Sequence, residues 1–254
     1  MLWLKDFKGH SGCKVQLYEN NGQYIVYKNG SPKLKRSAEL LDNLRNLGFN
    51  TPEIYSVTDD SMHMEYINGV DMKTYIFNGN QSDINKLFDF LDLYITTLAT
   101  AASINILPNL ITKLHSIEQS VDLSKLNFTC LDLLGKLPKT ATCGTVHGDF
   151  TLDNILFYKD KFYLIDANPT ELNHIEFDAV KIRQDLDCLW FVRNEKDTLN
   201  YRIVCQRISN QLKNKWPFLN NDYILIFMLM RILPYCTDEK TQDFLIMEIN
   251  KLWQ

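Results

Sequence analysis

The stretch His147-Gly148-Asp149-Phe150-Thr151-Leu152-Asp153-Asn154, followed shortly by Leu164-Ile165-Asp166, decides how this chain is read. Between them lie two strand-like runs, residues 155–158 and 162–165, joined by Lys159-Asp160-Lys161. An antiparallel hairpin with Tyr158 opposite Phe162 puts Asn154 opposite Asp166 at its open end. An amide oxygen and a carboxylate brought together there are hard donors. Such donors suit Mg²⁺, which completes its shell with waters and phosphates. Asp149 sits one short loop earlier. A carboxylate that the metal does not need can orient a hydroxyl and accept its proton. Positioning, charge neutralisation and an oriented nucleophile are what phosphoryl transfer requires. The alternative is that these carboxylates only cap turns and that His147 only fills the interior.

Upstream, the chain reads as a small β-rich segment. Residues 14–18 and 23–28 flank Asn20-Asn21-Gly22, a hairpin signal. A helix follows, with Ser31 as cap, Pro32 in its first turn and Gly48 at its end. Leu40, Leu41, Leu44 and Leu47 are its expected apolar face. Short strands are expected at 53–57 and 61–66. From about residue 70 the pattern turns helical. Ser82 is the expected cap of a helix striped by Ile84, Leu87, Phe88, Leu91, Tyr94, Ile95 and Leu98. Further helices are expected near 102–116, 176–193, 197–214, 221–233 and 238–252. The order predicts an α+β chain with two lobes, residues 1–67 and residues 68–254.

The motif at 147–166 resembles the Asp-x-x-x-x-Asn catalytic loop and metal-binding Asp of kinases. Its HGD form is similar to the aminoglycoside phosphotransferase and choline kinase family. The resemblance implies a protein-kinase-like fold, with a small β-rich N-lobe for nucleotide and a larger helical C-lobe for the acceptor. It implies ATP and Mg as cofactors, Asp149 as catalytic base, Asn154 and Asp166 as metal ligands, and His147 as a brace. Ala167-Asn168-Pro169 stands where a protein kinase has Phe-Gly, and no Ala-Pro-Glu segment follows. That departure favours a small-molecule acceptor over a protein. Leu152 replaces a proline common in antibiotic kinases, so an aminoglycoside acceptor does not follow.

The same resemblance extends to the small lobe. Lys8-Gly9-His10-Ser11-Gly12-Cys13 looks like a reduced phosphate-covering loop with Ser11 as a donor, although a plain hairpin turn explains it too. Lys28 resembles the strand lysine that contacts the α and β phosphates, and Glu39 is its candidate partner on the helix. Met64-Glu65-Tyr66-Ile67 resembles a hinge, with adenine bonded to main chain at Glu65 and Ile67. Beyond the catalytic stretch, Asp178, Lys181, Gln184 and Asp185 recur at helical spacing. Asp178 resembles a family residue that supports the catalytic loop. Gln184, Asp185 and Trp190 are candidate acceptor contacts, since polar groups beside an indole suit a sugar-like ligand. A solvated, ion-paired helix face is the other reading. The run from Asp166 through Gln184 also looks like phosphotransferases of surface-polysaccharide pathways, which points to a sugar acceptor. A catalytically silent kinase-like scaffold is the competing reading of the whole chain.

Composition bounds the rest. The 254 residues are 45% hydrophobic and 23% charged, ordinary globular chemistry, and the net charge of −4 implies no affinity for nucleic acid or anionic membrane. The longest apolar run, 224–230, stops at Arg231 and is too short for a bilayer of roughly 30 Å. The six cysteines form no CxxC pair, so free thiols are expected rather than zinc ligands. Lys5 and Asp6 interrupt the start where an export signal needs apolar residues, so a cytoplasmic location is expected. The sequence leaves the oligomeric state open.

Overall fold

A computed structural model describes residues 1–7, 13–98, 103–172 and 174–253. The chain divides into two compact units. The first joins Met1–Asn78 to Thr145–Thr170, and the second joins Gly79–Gly144 to Glu171–Gln254. This division differs from the expected boundary at 67/68. The 147–166 stretch belongs to the β-rich unit, where its hairpin completes a sheet.

The first unit opens with β1 (Leu2–Phe7), β2 (Lys14–Asn20) and β3 (Gln23–Asn29). With β4 (Ile54–Val57) and β5 (Ser61–Glu65) they make an antiparallel sheet of order β1-β2-β3-β5-β4. Asn21 and Gly22 both take positive φ, 51° and 81°, which turns the β2–β3 hairpin where the sequence places it. Helix α1 (Leu34–Asn46) covers one face. Leu34 and Ala38 of the helix pack with Leu17, Val26, Met62 and Met64 of the strands. Its buried face is Leu34, Ser37, Ala38, Leu41 and Leu44, which includes the expected Leu41 and Leu44, while Leu40 is half-buried. Leu47 is exposed because the helix has already ended, with Gly48 at φ 96°.

A second sheet, β6-β9-β10, carries the hairpin of the 147–166 stretch: β6 (Val70–Asp71), β9 (Ile155–Tyr158) and β10 (Lys161–Leu164). Tyr75 of α2 (Met72–Asn78) packs on Phe157 and Phe162 of this sheet. The β9–β10 register corrects the expected one. Tyr158 pairs with Lys161, and Ile155 with Leu164. The turn is therefore two residues, Lys159 and Asp160, both at positive φ (47° and 59°). A two-residue turn of that kind matches the twist of the flanking strands. Asn154 consequently falls opposite Ile165, one residue short of Asp166. The α1–β4 loop straps this hairpin: Asn50 Nδ2 donates to Phe162 O, and Leu164 N donates to Asn50 O.

The second unit is helical. Its elements are α3 (Gln81–Leu98), β7 (Ser103–Asn105), α4 (Leu107–Ser120), α5 (Cys130–Lys136), β8 (Thr140–Thr142), α6 (Ile175–Leu186), α7 (Leu199–Lys215), α8 (Asp222–Met230) and α9 (Glu239–Leu252). Asn80, rather than Ser82, caps α3, its side chain accepting from Ser82 N and Asp83 N. The apolar run 224–230 is buried throughout α8, as its composition demands. No described helix is long and apolar enough to cross a membrane. All six cysteines are free thiols.

One ionic knot fastens α6 to α7. Arg183 donates to Asp187 at 2.7 Å, Lys213 donates to the same carboxylate at 2.8 Å, and Ser209 donates to its other oxygen. Burial raises the Asp187 pKa, but Arg183, Lys213 and Ser209 outweigh that and hold it below its ordinary value of 3.8. Arg183 is itself only 2% exposed. Arg183 also donates to Asp222 and to Leu219 O, so it keeps a carboxylate when Asp187 is replaced by Ala, and the lost charged hydrogen bonds are expected to cost about 1.5–3 kcal/mol. Chemical denaturation measures it. Because the folded pKa is depressed, the contribution is complete above pH 3.8 and fades as pH falls through the lower folded value. The gap between wild type and variant should close there.

Candidate active site

The loop entering the site is built around a close backbone approach. Gly148 has φ 78°, and a Cβ there would sit 1.9 Å from the carbonyl oxygen of Asn168. The neighbouring groups are joined directly, Asn168 N donating to His147 O at 2.9 Å. Only glycine fits this position, which is the physical reason for an HGD rather than an HRD loop.

His147 is fully buried. Its Nε2 lies 2.7 Å from Ile165 O, and its Nδ1 receives Asp149 N at 3.3 Å. A carbonyl only accepts, so the proton sits on Nε2 and Nδ1 is the acceptor. The ring thus braces the catalytic loop against the residue before Asp166.

Asn154 Nδ2 donates to Asp149 Oδ2 at 2.9 Å and to Asp149 O at 2.8 Å. The amide nitrogen aims the carboxylate, and among the described residues Oδ1 of Asn154 has no hydrogen-bond partner. Ile165 N donates to Asn154 O at 3.0 Å, which holds the two segments together despite the shifted register. Asp166 itself has φ 60°, a left-handed turn just after β10, and its side chain is 44% exposed. The oxygen of Asn154 and the carboxylate of Asp166 are hard donors on adjoining segments, so the residues present fit Mg²⁺.

Lys28 forms an ion pair with Asp166. Burial pushes the Lys28 ammonium down to about 8. Charge on the Cys13 sulfur pulls the other way, more weakly than burial, and a value of about 8 leaves the lysine mostly cationic at neutral pH. Four residues expected to act together thus gather within the first unit: Lys28, Asp149, Asn154 and Asp166.

Other expectations fare differently. Glu39 lies exposed on α1, one residue past the buried Ala38, and does not meet Lys28. Glu65 N is taken by Glu53 O at 2.8 Å, so only its carbonyl remains for an adenine; Ile67 lies beyond the end of β5. Ser11 lies outside the described residues. The acceptor set is corrected. Helix α6 ends at Leu186, and Leu189 turns left-handed at φ 57°, so Trp190 is not on the helix with Gln184 and Asp185. Asp185 is buried and accepts from Phe191 N at 3.1 Å, bracing that turn. Trp190 lies under the guanidinium of Arg193 at 3.8 Å. Gln184 is 1% exposed, with its Oε1 unpaired. Asp178 bonds the Tyr94 hydroxyl inside the second unit. The strap from Asn50 escaped the sequence reading, since a lone polar residue after a helix end carries no signal of its distant partner.

No protein-family model and no curated protein matches the chain. Solved structures do match along nearly its whole length. A protein of Ralstonia eutropha JMP134 assigned as an aminoglycoside phosphotransferase aligns with a TM-score of 0.63 at 15% identity, covering 98% of this chain and 89% of its own. A protein of Haemophilus somnus 129PT assigned as a fructosamine-3-kinase aligns at 0.61 and 12%, covering 98% and 90%. The aminoglycoside phosphotransferase APH(4)-Ia aligns at 0.65 and 10%, covering 98% and 93%. The fold is therefore α+β and of the kinase-like kind that these small-molecule phosphotransferases share.

Gly148→Ala tests the close approach. The left-handed backbone alone costs about 1–2 kcal/mol for a residue with a Cβ, and the Asn168 carbonyl must also move. A loss of thermal stability of at least that size is expected, measured by calorimetry, together with loss of any turnover.

Proposed function

We propose that this chain is an ATP- and Mg-dependent phosphotransferase that phosphorylates a hydroxyl group of a small metabolite, with a sugar or sugar derivative as the first class to test. One observation carries the reading. Asn154 spends its amide nitrogen on aiming Asp149 and keeps its oxygen for a cation, beside an Asp166 already paired with a buried lysine. A binding scaffold has no chemical need for that set.

In this reading Asp149 orients the acceptor hydroxyl and accepts its proton as the oxygen attacks. Asn154 and Asp166 hold Mg²⁺, which neutralises charge on the phosphates when bound. Lys28 steadies the α and β phosphates. The Ile67 main chain and the Glu65 carbonyl serve the adenine, and Ser11 covers the phosphates. Nucleotide chemistry belongs to the first unit and acceptor recognition to the second. Among proteins of this fold, a variant of APH(4)-Ia has been seen with ADP and hygromycin B, and APH(2")-IIa with streptomycin and ATP. Those ligands support a nucleotide and a small hydroxylated acceptor as the classes to test. The tight packing of Asn168 on Gly148 favours a fixed segment after Asp166 over the movable one a protein kinase regulates.

Screening sugars, amino alcohols and nucleosides for acceptor-dependent ADP release tests the proposal. With the responding acceptor, Asp149→Asn should lower turnover by about 10²-fold or more while nucleotide affinity stays near wild type. Near-normal turnover would remove Asp149 as the base. In a thermal-shift titration, ATP should stabilise the protein far more with Mg²⁺ than without. Asp166→Ala should erase that metal-dependent increment; if the increment is kept in full, the metal assignment is wrong.

A further inference from the structure

Lys28 lies on the face of the sheet that α1 covers. It alternates with Val26 on β3 and stands opposite Val15 and Met62 on the neighbouring strands. Val26 and Met62 pack against Leu34 and Ala38 of α1. A carboxylate anchoring Lys28 from the helix would have to project from this buried face, which is Leu34, Ser37, Ala38, Leu41 and Leu44. None of these is acidic. The two acids of α1 are otherwise placed: Glu39 is exposed, and Asp42 pairs with Arg45. Among the described residues, the ion-pair partner of Lys28 is Asp166.

We propose that the Lys28–Asp166 pair is a latch that makes metal and nucleotide bind only together, the ammonium standing in for the metal ion until both arrive. This rests on the phosphotransferase reading above. Charge balance gives the logic. A bare cation taking Asp166 would leave Lys28 charged at 9% exposure with no anion, which is costly. Bare phosphates drawing Lys28 away would leave Asp166 uncompensated beside further negative charge. When both arrive, Lys28 passes to the phosphates and Asp166 to the metal, and no charge is stranded. A lysine anchored by a helix carboxylate would not impose this coupling, because Asp166 would start free.

Mn²⁺ without nucleotide, followed by its spin-resonance signal, reads the latch directly. The wild-type protein should bind it weakly. Lys28→Gln, which frees Asp166 without adding charge, should bind bare Mn²⁺ at least about tenfold more tightly, a conservative share of one close ion pair. Lys28→Met is the second variant, and circular dichroism confirms that each is folded. Unchanged or weaker Mn²⁺ binding in the folded variants overturns the latch. A failure of the underlying reading looks different: wild-type protein that binds no nucleotide with or without metal, whatever the variants do with bare Mn²⁺.

Discussion

The carbonyl oxygen of Asn168 occupies the space where any side chain on residue 148 would begin. The candidate site residues of the 147–166 stretch are arranged around that contact. It brings the backbone after Asp166 against the backbone before Asp149, so that His147 can reach Ile165 and bridge the two segments with one neutral ring. The buried imidazole is satisfied at both nitrogens and needs no charge. A short link of this kind holds two loops in fixed relation, which pre-organised chemistry requires.

Within that frame the polar groups are shared economically. Asn154 uses one end of its amide to set Asp149 and keeps the other for a cation. Lys28 and Asp166 neutralise each other across the gap between the two sheets of the unit. The strap from Asn50 ties the end of β10 to the loop after α1, so the position of Asp166 depends on a helix that contributes no group to the chemistry. A change in the α1–β4 loop would be felt at Asp166 through the side-chain and backbone bonds of Asn50.

Much of this was legible in the sequence, for definite reasons. Glycine, acid and amide at fixed short spacing constrain one another locally, so residues 147–154 identify themselves. The β2–β3 hairpin declares itself through Asn21-Gly22. What failed depended on register or on distant packing. The β9–β10 turn is one residue shorter than expected because Lys159 and Asp160 both adopt left-handed backbone, which their side chains do not advertise. The leucines of α1 located Leu41 and Leu44 in the core but not Ser37 and Ala38, small residues that bury beside them. Gln184 and Asp185 read as acceptor contacts, or else as a solvated face, because helical spacing shows which residues share a face and not how deeply it is buried.

The first unit is interrupted in sequence by the Gly79–Gly144 part of the helical one. Its own sheet β6-β9-β10 pairs Val70 with Phe157, so the strands that meet are separated by residues 79–144. A chain emerging from a ribosome can close the hairpin of β2 and β3 early, but β6 must wait for its partner until the intervening helices have been made. Closing so long a loop carries an entropic cost that local hairpins escape, and pairings of this range form slowly. During that interval the apolar side of α2, including Tyr75, has nothing of its own unit to cover it. Folding yield, more than final stability, should therefore be the property most sensitive to substitutions in residues 70–78.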